Sequence, residues 1–216
     1  MRFESGHVYH VYNQGNDRQV IFPTHADYVR FLELSKTYVQ PYADILAWCL
    51  LPNHFHFMLV GNKKAMEPHQ QGRLLIDNLT NAFRKMLSLY SQQFNKKHKR
   101  SGSVFRAKTK SKNLSLQQIA NGLTQTDYYM NCFYYIHQNP TRHQLVTDVD
   151  QWKYSSYAFY ANKREKDFCN KQLATELCDY SAVTFSDVVR RRLPSPFLSI
   201  FNDPQYQRPH PSDPPV

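Results

Sequence analysis

Asp44-Ile-Leu-Ala-Trp-Cys-Leu-Leu51, then Pro52-Asn53, then His54-Phe-His-Phe-Met-Leu-Val60 is the stretch on which the fold turns. Each apolar arm is too short for a helix of its own, and Pro52-Asn53 interrupts them, so the reading is two short strands hinged as a hairpin. On the second strand residues i and i+2 share a face, which puts His54 and His56 together while Phe55 points into the core. Two imidazoles at this spacing can converge on one cation, but a third protein ligand plus water or a substrate oxygen would have to complete the shell. Taken alone, the same pattern also describes two surface histidines on an exposed strand.

Working outward, residues 7–14 (His-Val-Tyr-His-Val-Tyr-Asn-Gln) are β-branched and aromatic and run into Gly15-Asn16, which predicts a first strand ending in a turn. Thr24 and Asp27 have capping-box spacing, and Tyr28, Phe31, Leu32 and Ser35 recur at helical intervals, predicting a helix over 24–40. After the hairpin, Leu75, Leu79, Phe83, Met86, Leu87, Tyr90 and Phe94 keep one stripe, predicting a long helix from about Arg73 to Asn95. A fourth strand is expected at roughly 103–110. The order β, α, β, β, α, β predicts an α+β, ferredoxin-like fold: an antiparallel four-stranded sheet with two helices on one face and the other face free for ligand. Helices near 114–124 and 127–139, the latter stopped by Asn139-Pro140, would fold over that open face or an edge. Periodicity weakens after residue 160, and from Pro194 the chain is Pro-rich. This divides it into a domain of residues 1–160 and a basic, Pro-rich extension of 161–216 that includes Arg190-Arg-Arg192.

The 216 residues carry 27 Lys+Arg against 17 Asp+Glu, a formal charge of +10, with 41% hydrophobic and 14% aromatic content. That composition builds a core and excludes global disorder. No window has the length of uncharged apolar sequence that a membrane span needs, and the N-terminus shows no apolar signal region, so the cytoplasm is the expected location. The four cysteines (Cys49, Cys132, Cys169, Cys178) lack any Cys-x-x-Cys pair and read as buried thiols. There is no phosphate-binding Gly-x-x-x-x-Gly-Lys loop, no Gly-x-Gly-x-x-Gly and no Gly-x-Ser-x-Gly, which leaves phosphoryl transfer or plain binding.

Residues 96–112 carry eight Lys or Arg and no acid: Lys96, Lys97, Lys99, Arg100, Arg106, Lys108, Lys110 and Lys112. On a strand, Arg106, Lys108 and Lys110 would project to one side as a phosphate-attracting stripe. In the tyrosine-rich segment 127–139, Tyr128, Tyr135 and Asn139 lie within about 40° of one line at 100° per residue, while Tyr134 and His137 point away. A phenol facing a held phosphate can act as a nucleophile, though the same tyrosines would also pack the helix. His7, His25, His69, His98, His143 and His210 have no partner at ligand spacing within their own elements and read as solvated or structural. His10, on a strand expected beside the hairpin, is also read as structural.

In order along the chain, Tyr9-His-Val-Tyr-Asn-Gln-Gly-Asn-Asp-Arg18, Leu51-Pro-Asn-His-Phe-His-Phe57, Phe94-Asn-Lys-Lys-His98, Phe105-Arg106, Tyr135-Ile-His-Gln-Asn-Pro140 and Trp152-Lys-Tyr-Ser-Ser-Tyr157 resemble the REP-associated tyrosine transposases of the HUH single-strand transposase family. The resemblance covers roughly residues 5–160. It implies that His54 and His56 are metal ligands for Mg²⁺ or Mn²⁺, that Asn139 completes the shell, and that Tyr135 is the nucleophile. It further implies single-stranded or hairpin DNA as partner, a 5′-phosphotyrosine intermediate, a monomer or homodimer, and a nucleoid association within the cytoplasm. A protein that clamps hairpin DNA or structured RNA without cleavage is the alternative on the same fold. The chain departs from the family at Thr141-Arg-His-Gln144, where small residues are usual, and residues after 160 match nothing assignable.

Overall fold

The structure is a computed structural model and describes residues 1–71, 74–116, 123–191 and 193. Four strands form the main sheet: β1 (Val8–Gln14), β2 (Ala43–Leu51), β3 (His54–Gly61) and β6 (Lys110–Asn113), in the spatial order β2-β3-β1-β6 with every neighbouring pair antiparallel. A separate ribbon pairs β4 (Pro68–Gln71) with β5 (Leu74–Asp77). Helices α1 (His25–Tyr38), α2 (Asn78–Lys97), α3 (Gln125–Arg142), α4 (Tyr157–Tyr160), α5 (Lys171–Cys178) and α6 (Phe185–Val188) complete the described secondary structure. The architecture is a mixed α+β one.

Side-chain alternation sorts the strands onto two cores. Tyr9, Val11, Phe55, Phe57 and Leu59 pack with Phe31, Phe83, Met86 and Tyr90 of α1 and α2. Their neighbours Val8, Met58 and Val60 pack with Cys132, Phe133 and Ile136 of α3 on the opposite face. A bulge between Ile45 and Ala47 lets Leu46 and Ala47 both join the α3 side while Ile45 and Trp48 keep to the other, so β2 is apolar on both faces. Local signals set the ends of α1 and α2: Thr24 and Asp27 form the reciprocal capping box of α1, and the Asp77 carboxylate accepts the Thr80 N–H at the start of α2.

Four expectations are corrected. The helix expected from Arg73 begins at Asn78, because Leu74–Asp77 joins the β4–β5 ladder, and Leu75 is 72% exposed rather than on the apolar stripe. The fourth strand is Lys110–Asn113, not 103–110. Phe105 is drawn into the α1/α2 core and Arg106 N–H bonds the Gln14 carbonyl, but the Asn13 side-chain amide donates to the Arg106 carbonyl and to Thr109 Oγ1 where a ladder would run. Arg106 and Lys108 therefore precede the strand, and the expected Arg106-Lys108-Lys110 alternation does not form. Finally, α3 continues through Pro140 to Arg142. Pro140 lacks the N–H that would reach Ile136, yet the last turns are buried and Gln138 Nε2 donates to the carbonyls of Val189 and Arg191, so tertiary contacts outweigh the local cost.

Beyond residue 160, Ala174, Cys178, Tyr180, Phe185 and Val189 pack in the same cluster as α3. Most of the helix expected at 114–124, residues 117–122, lies outside the described residues, as do Arg192 and the Pro-rich segment 194–216.

Candidate functional site

Register places the two hairpin histidines at the centre of the α3 face. His54 lies opposite Leu51 and Gln14, and His56 opposite Cys49 and Tyr12. Both are buried, at 1% and 2% exposure, because α3 covers the strand that carries them. The reading of two surface imidazoles on an exposed strand is thus excluded by their burial.

His10 belongs to this cluster. Its Nε2 lies 2.9 Å from His56 Nδ1, and its ring stacks on those of Tyr12 and His56. Tyr135 of α3 meets the pair edge-on, with ring centroids 5.9 Å from His10 and 5.8 Å from His56. The Arg142 guanidinium sits 5.4 Å from the Tyr135 ring centroid, two turns along the helix. His143, just past the helix end, lies 4.8 Å from His54 between ring centroids. Lys112 pairs directly with His10, so it shares the site's face, as does Lys110 opposite Tyr12.

Burial sets the protonation of these groups. Desolvation holds His54 and His56 well below the ordinary imidazole value, and the neighbouring His143 adds to this for both, His10 and His54 for His56. His10 is brought down to about 3, by burial first and then by Lys112. Neutral imidazoles carry the lone pairs that a metal requires.

His54, His56 and Asn139 are the residues that could hold a cation. His54 Nδ1 lies 2.6 Å from Asn53 Oδ1, which can only accept, so the proton is on Nδ1 and Nε2 is the lone-pair nitrogen. His56 Nε2 and Asn139 Oδ1 are buried and have no hydrogen-bond partner, while Asn139 Nδ2 donates to the Tyr135 carbonyl at 2.8 Å and so fixes which amide atom is left bare. Among the described residues no group of three or more His, Cys, Asp or Glu is placed to hold a metal ion. Buried nitrogen and oxygen atoms without partners beside neutral imidazoles could take up a divalent cation.

The other tyrosines lie elsewhere. Tyr134 stacks on Phe185 within the α3–α6 cluster, and His137 is spent on the Phe133 carbonyl and Ser156 Oγ. Tyr128 is buried one face-line along from Tyr135. Of the basic run, Lys97 bonds Asp27 and Thr24 at the start of α1, and Arg100 bonds Gln19 and the Ser103 carbonyl over the Phe94 ring. These two cations serve the fold, whereas Lys96 and Lys99 are exposed. Arg106 lines a groove of about 770 Å³ between α2 and residues 102–109, on the face away from the histidines.

Sequence spacing missed Asn53, Arg142 and His143, and gave His10 no role in the site. His10 and His143 find their partners on other elements, Arg142 lies past the expected helix stop at Pro140, and Asn53 adjoins His54 but is tied to the distant Arg18; only the departure at residues 141–144 marked the place.

Neither a protein-family model nor a curated protein sequence matches the chain. The fold is similar to a solved structure described as a REP-associated tyrosine transposase bound to a REP hairpin, with a TM-score of 0.50 and 17% identity, over 78% of this chain and 87% of that one. At that identity the likeness shows the fold. No helix among the described residues is long and apolar enough to cross a membrane.

Proposed function

We propose that this chain is a metal-dependent single-stranded DNA endonuclease and strand transferase acting on hairpin-forming repeats, with a ferredoxin-like HUH domain as its scaffold and Tyr135 as nucleophile. The observation that carries the reading is the Tyr135 ring against His10 and His56 on the face where the bare donors of His56 and Asn139 are buried. Helix α3 brings the tyrosine to the histidines of its own chain, so the reading is of a nucleophile acting in cis.

His54, His56 and Asn139 would hold Mg²⁺ or Mn²⁺, which supplies polarisation of a phosphoryl oxygen. The Tyr135 oxygen attacks phosphorus, a tyrosine–phosphate bond forms, the bond to the 3′ oxygen breaks, and that oxygen leaves as a 3′-OH. Attack by a 3′-OH on the phosphotyrosine reverses the step and returns the phenol, so no phosphodiester is lost. Arg142 beside the Tyr135 ring and Lys110 and Lys112 on the same sheet face supply positive charge for the phosphate backbone. The neighbour's hairpin ligand supports hairpin DNA as the substrate here.

The test is a denaturing gel with labelled single-stranded hairpin DNA from the repeats flanking the gene, with Mn²⁺ or EDTA. Wild type should form a metal-dependent protein–DNA adduct, which Tyr135→Phe removes. His56→Ala should abolish cleavage and leave salt-sensitive binding intact. An adduct that persists in Tyr135→Phe and maps to Tyr128 or Tyr134 overturns the choice of nucleophile. Tight binding by wild type with no adduct on any repeat establishes the non-catalytic clamp instead.

A further inference from the structure

The hairpin turn that precedes His54 is tied to a distant segment by backbone and side-chain hydrogen bonds. The Pro52 carbonyl accepts the N–H groups of Ile21 and Phe22 at 2.8 and 3.0 Å, and the Asn53 carbonyl accepts Gly15 N–H at 2.8 Å. The Asn53 side chain then reaches both ways: Nδ2 donates to the Arg18 carbonyl at 3.2 Å, and Oδ1 accepts from His54 Nδ1 at 2.6 Å. Asn53 is fully buried, at 0% exposure.

The turn that supplies the Arg18 carbonyl is built at a conformational cost. Asp17 and Arg18 have φ of 52° and 62°, left-handed values that non-glycine residues seldom adopt and that cost on the order of 1 kcal/mol each. Gly15 is required by close approach, since a Cβ there would lie 2.2 Å from the Gln19 carbonyl oxygen. Two left-handed residues in a row are retained where their carbonyl orients a buried amide.

We infer that Asn53 is a positioning residue, oriented by the Arg18 carbonyl of the Gly15–Gln19 turn, which holds the proton of His54 on Nδ1 and so presents Nε2 to a cation. The inference deepens the metal-dependent reading above and rests on it for the cation alone. With the amide flipped, its NH₂ would face His54 Nδ1 and force the proton to Nε2; the Arg18 carbonyl, which can only accept, prevents that flip.

The test reads the His54 tautomer by long-range ¹H–¹⁵N NMR of the full chain at neutral pH, and Mn²⁺ affinity by calorimetry. Wild type should carry the His54 proton on Nδ1. Asn53→Ala should redistribute it toward Nε2 and weaken Mn²⁺ binding about 10- to 100-fold, the range for a lost partner of a metal-bound histidine. Asn53→Asp keeps an acceptor beside Nδ1 but loses the donation to the Arg18 carbonyl, so it should hold the proton on Nδ1 while restoring Mn²⁺ affinity only in part. Gly15→Ala should shift the tautomer in the same direction as Asn53→Ala. A wild-type His54 protonated on Nε2, or an unchanged tautomer in folded Asn53→Ala, overturns the inference. If Asn53→Ala does not fold, the wild-type tautomer and the Asn53→Asp variant still decide. Wild type that shows the Nδ1 proton but binds no Mn²⁺ upholds Asn53 and overturns the metal reading instead.

Discussion

One face of the β2-β3-β1-β6 sheet meets α1 and α2 through Tyr9, Val11, Phe55, Phe57 and Leu59, and the other meets α3 through His10, His54 and His56 beside Val8, Met58 and Val60. The two faces are read from alternate residues of the same strands, and both are buried. On the first, rings interlock: Phe31 packs on Phe22, Phe55, Phe57, Tyr90 and Phe105. A buried carboxylate there, Asp27, is pushed upward by burial but held below its ordinary value by hydrogen bonds from Lys97, Thr24 and His98. On the second face His56 Nε2 and Asn139 Oδ1 are buried without a hydrogen-bond partner, and on the first the Tyr28 hydroxyl is too. Each such group costs about 1–3 kcal/mol. The faces differ in what surrounds these atoms: clustered imidazoles on the second, interlocked aromatic rings on the first.

The largest effect should come from the face where aromatic rings interlock. Phe57→Ala removes a fully buried ring and should cost about 3–5 kcal/mol. His56→Ala, one residue away on the other face, removes a desolvated imidazole along with its contacts and should cost less than half as much. Urea denaturation of the two variants compares the faces directly; equal losses would show that the histidine face is packed for stability too.

How far this division could be read in the sequence depended on the range of the interactions. The hairpin, its Pro52-Asn53 hinge and the Thr24–Asp27 cap were legible because each is written within a few residues. The parity of His54 and Phe55 gave the two faces before any helix was placed on them. Pro140 misled because its local cost is smaller than the burial of Gln138 and Asn139 around it. The fourth strand moved to Lys110 because Asn13, on a different strand, takes the groups that a ladder would have used. Arg142 was invisible as a site residue because the helix that carries it two turns past Tyr135 was expected to stop at Asn139-Pro140, and His143 because it meets His54 only after α3 crosses the sheet.

A second difference lies in pH. His10 and His137, both on the α3 side, are brought down by burial to about 3 from an ordinary 6.5. Between those values the unfolded chain binds protons that the folded one refuses, so stability rises with pH and is lost as pH falls below 6.5. Each imidazole should cost about 1.4 kcal/mol at pH 5.5 relative to pH 7.5, or about 3 kcal/mol for the two. Asp27 has the opposite form, a lowered carboxylate whose contribution is kept throughout this window and lost only as pH falls through its own folded value. His54 and His56, held well below the ordinary value, add to the same slope. Urea midpoints at the two pH values test this, and His137→Gln should remove about a quarter of the slope. A flat profile would mean that the imidazoles accept protons in place.

The smallest expected effect has the most diagnostic sign. Asn139 is fully buried, its Oδ1 has no partner, and its Nδ2 bonds the Tyr135 carbonyl that the helix already engages. Asn139→Leu keeps the volume, removes the orphaned acceptor and improves helix propensity, so the metal-free protein should gain about 1 kcal/mol. A core asparagine kept for packing would give a loss instead. Mn²⁺ then separates the remaining explanations by mass action: it should raise the melting temperature of wild type and do so much less in Asn139→Leu, because a ligand stabilises only the folded form that binds it. A variant that is more stable without the ion and less responsive to it would place Asn139 among the donors, on the face where stability has been exchanged for a site.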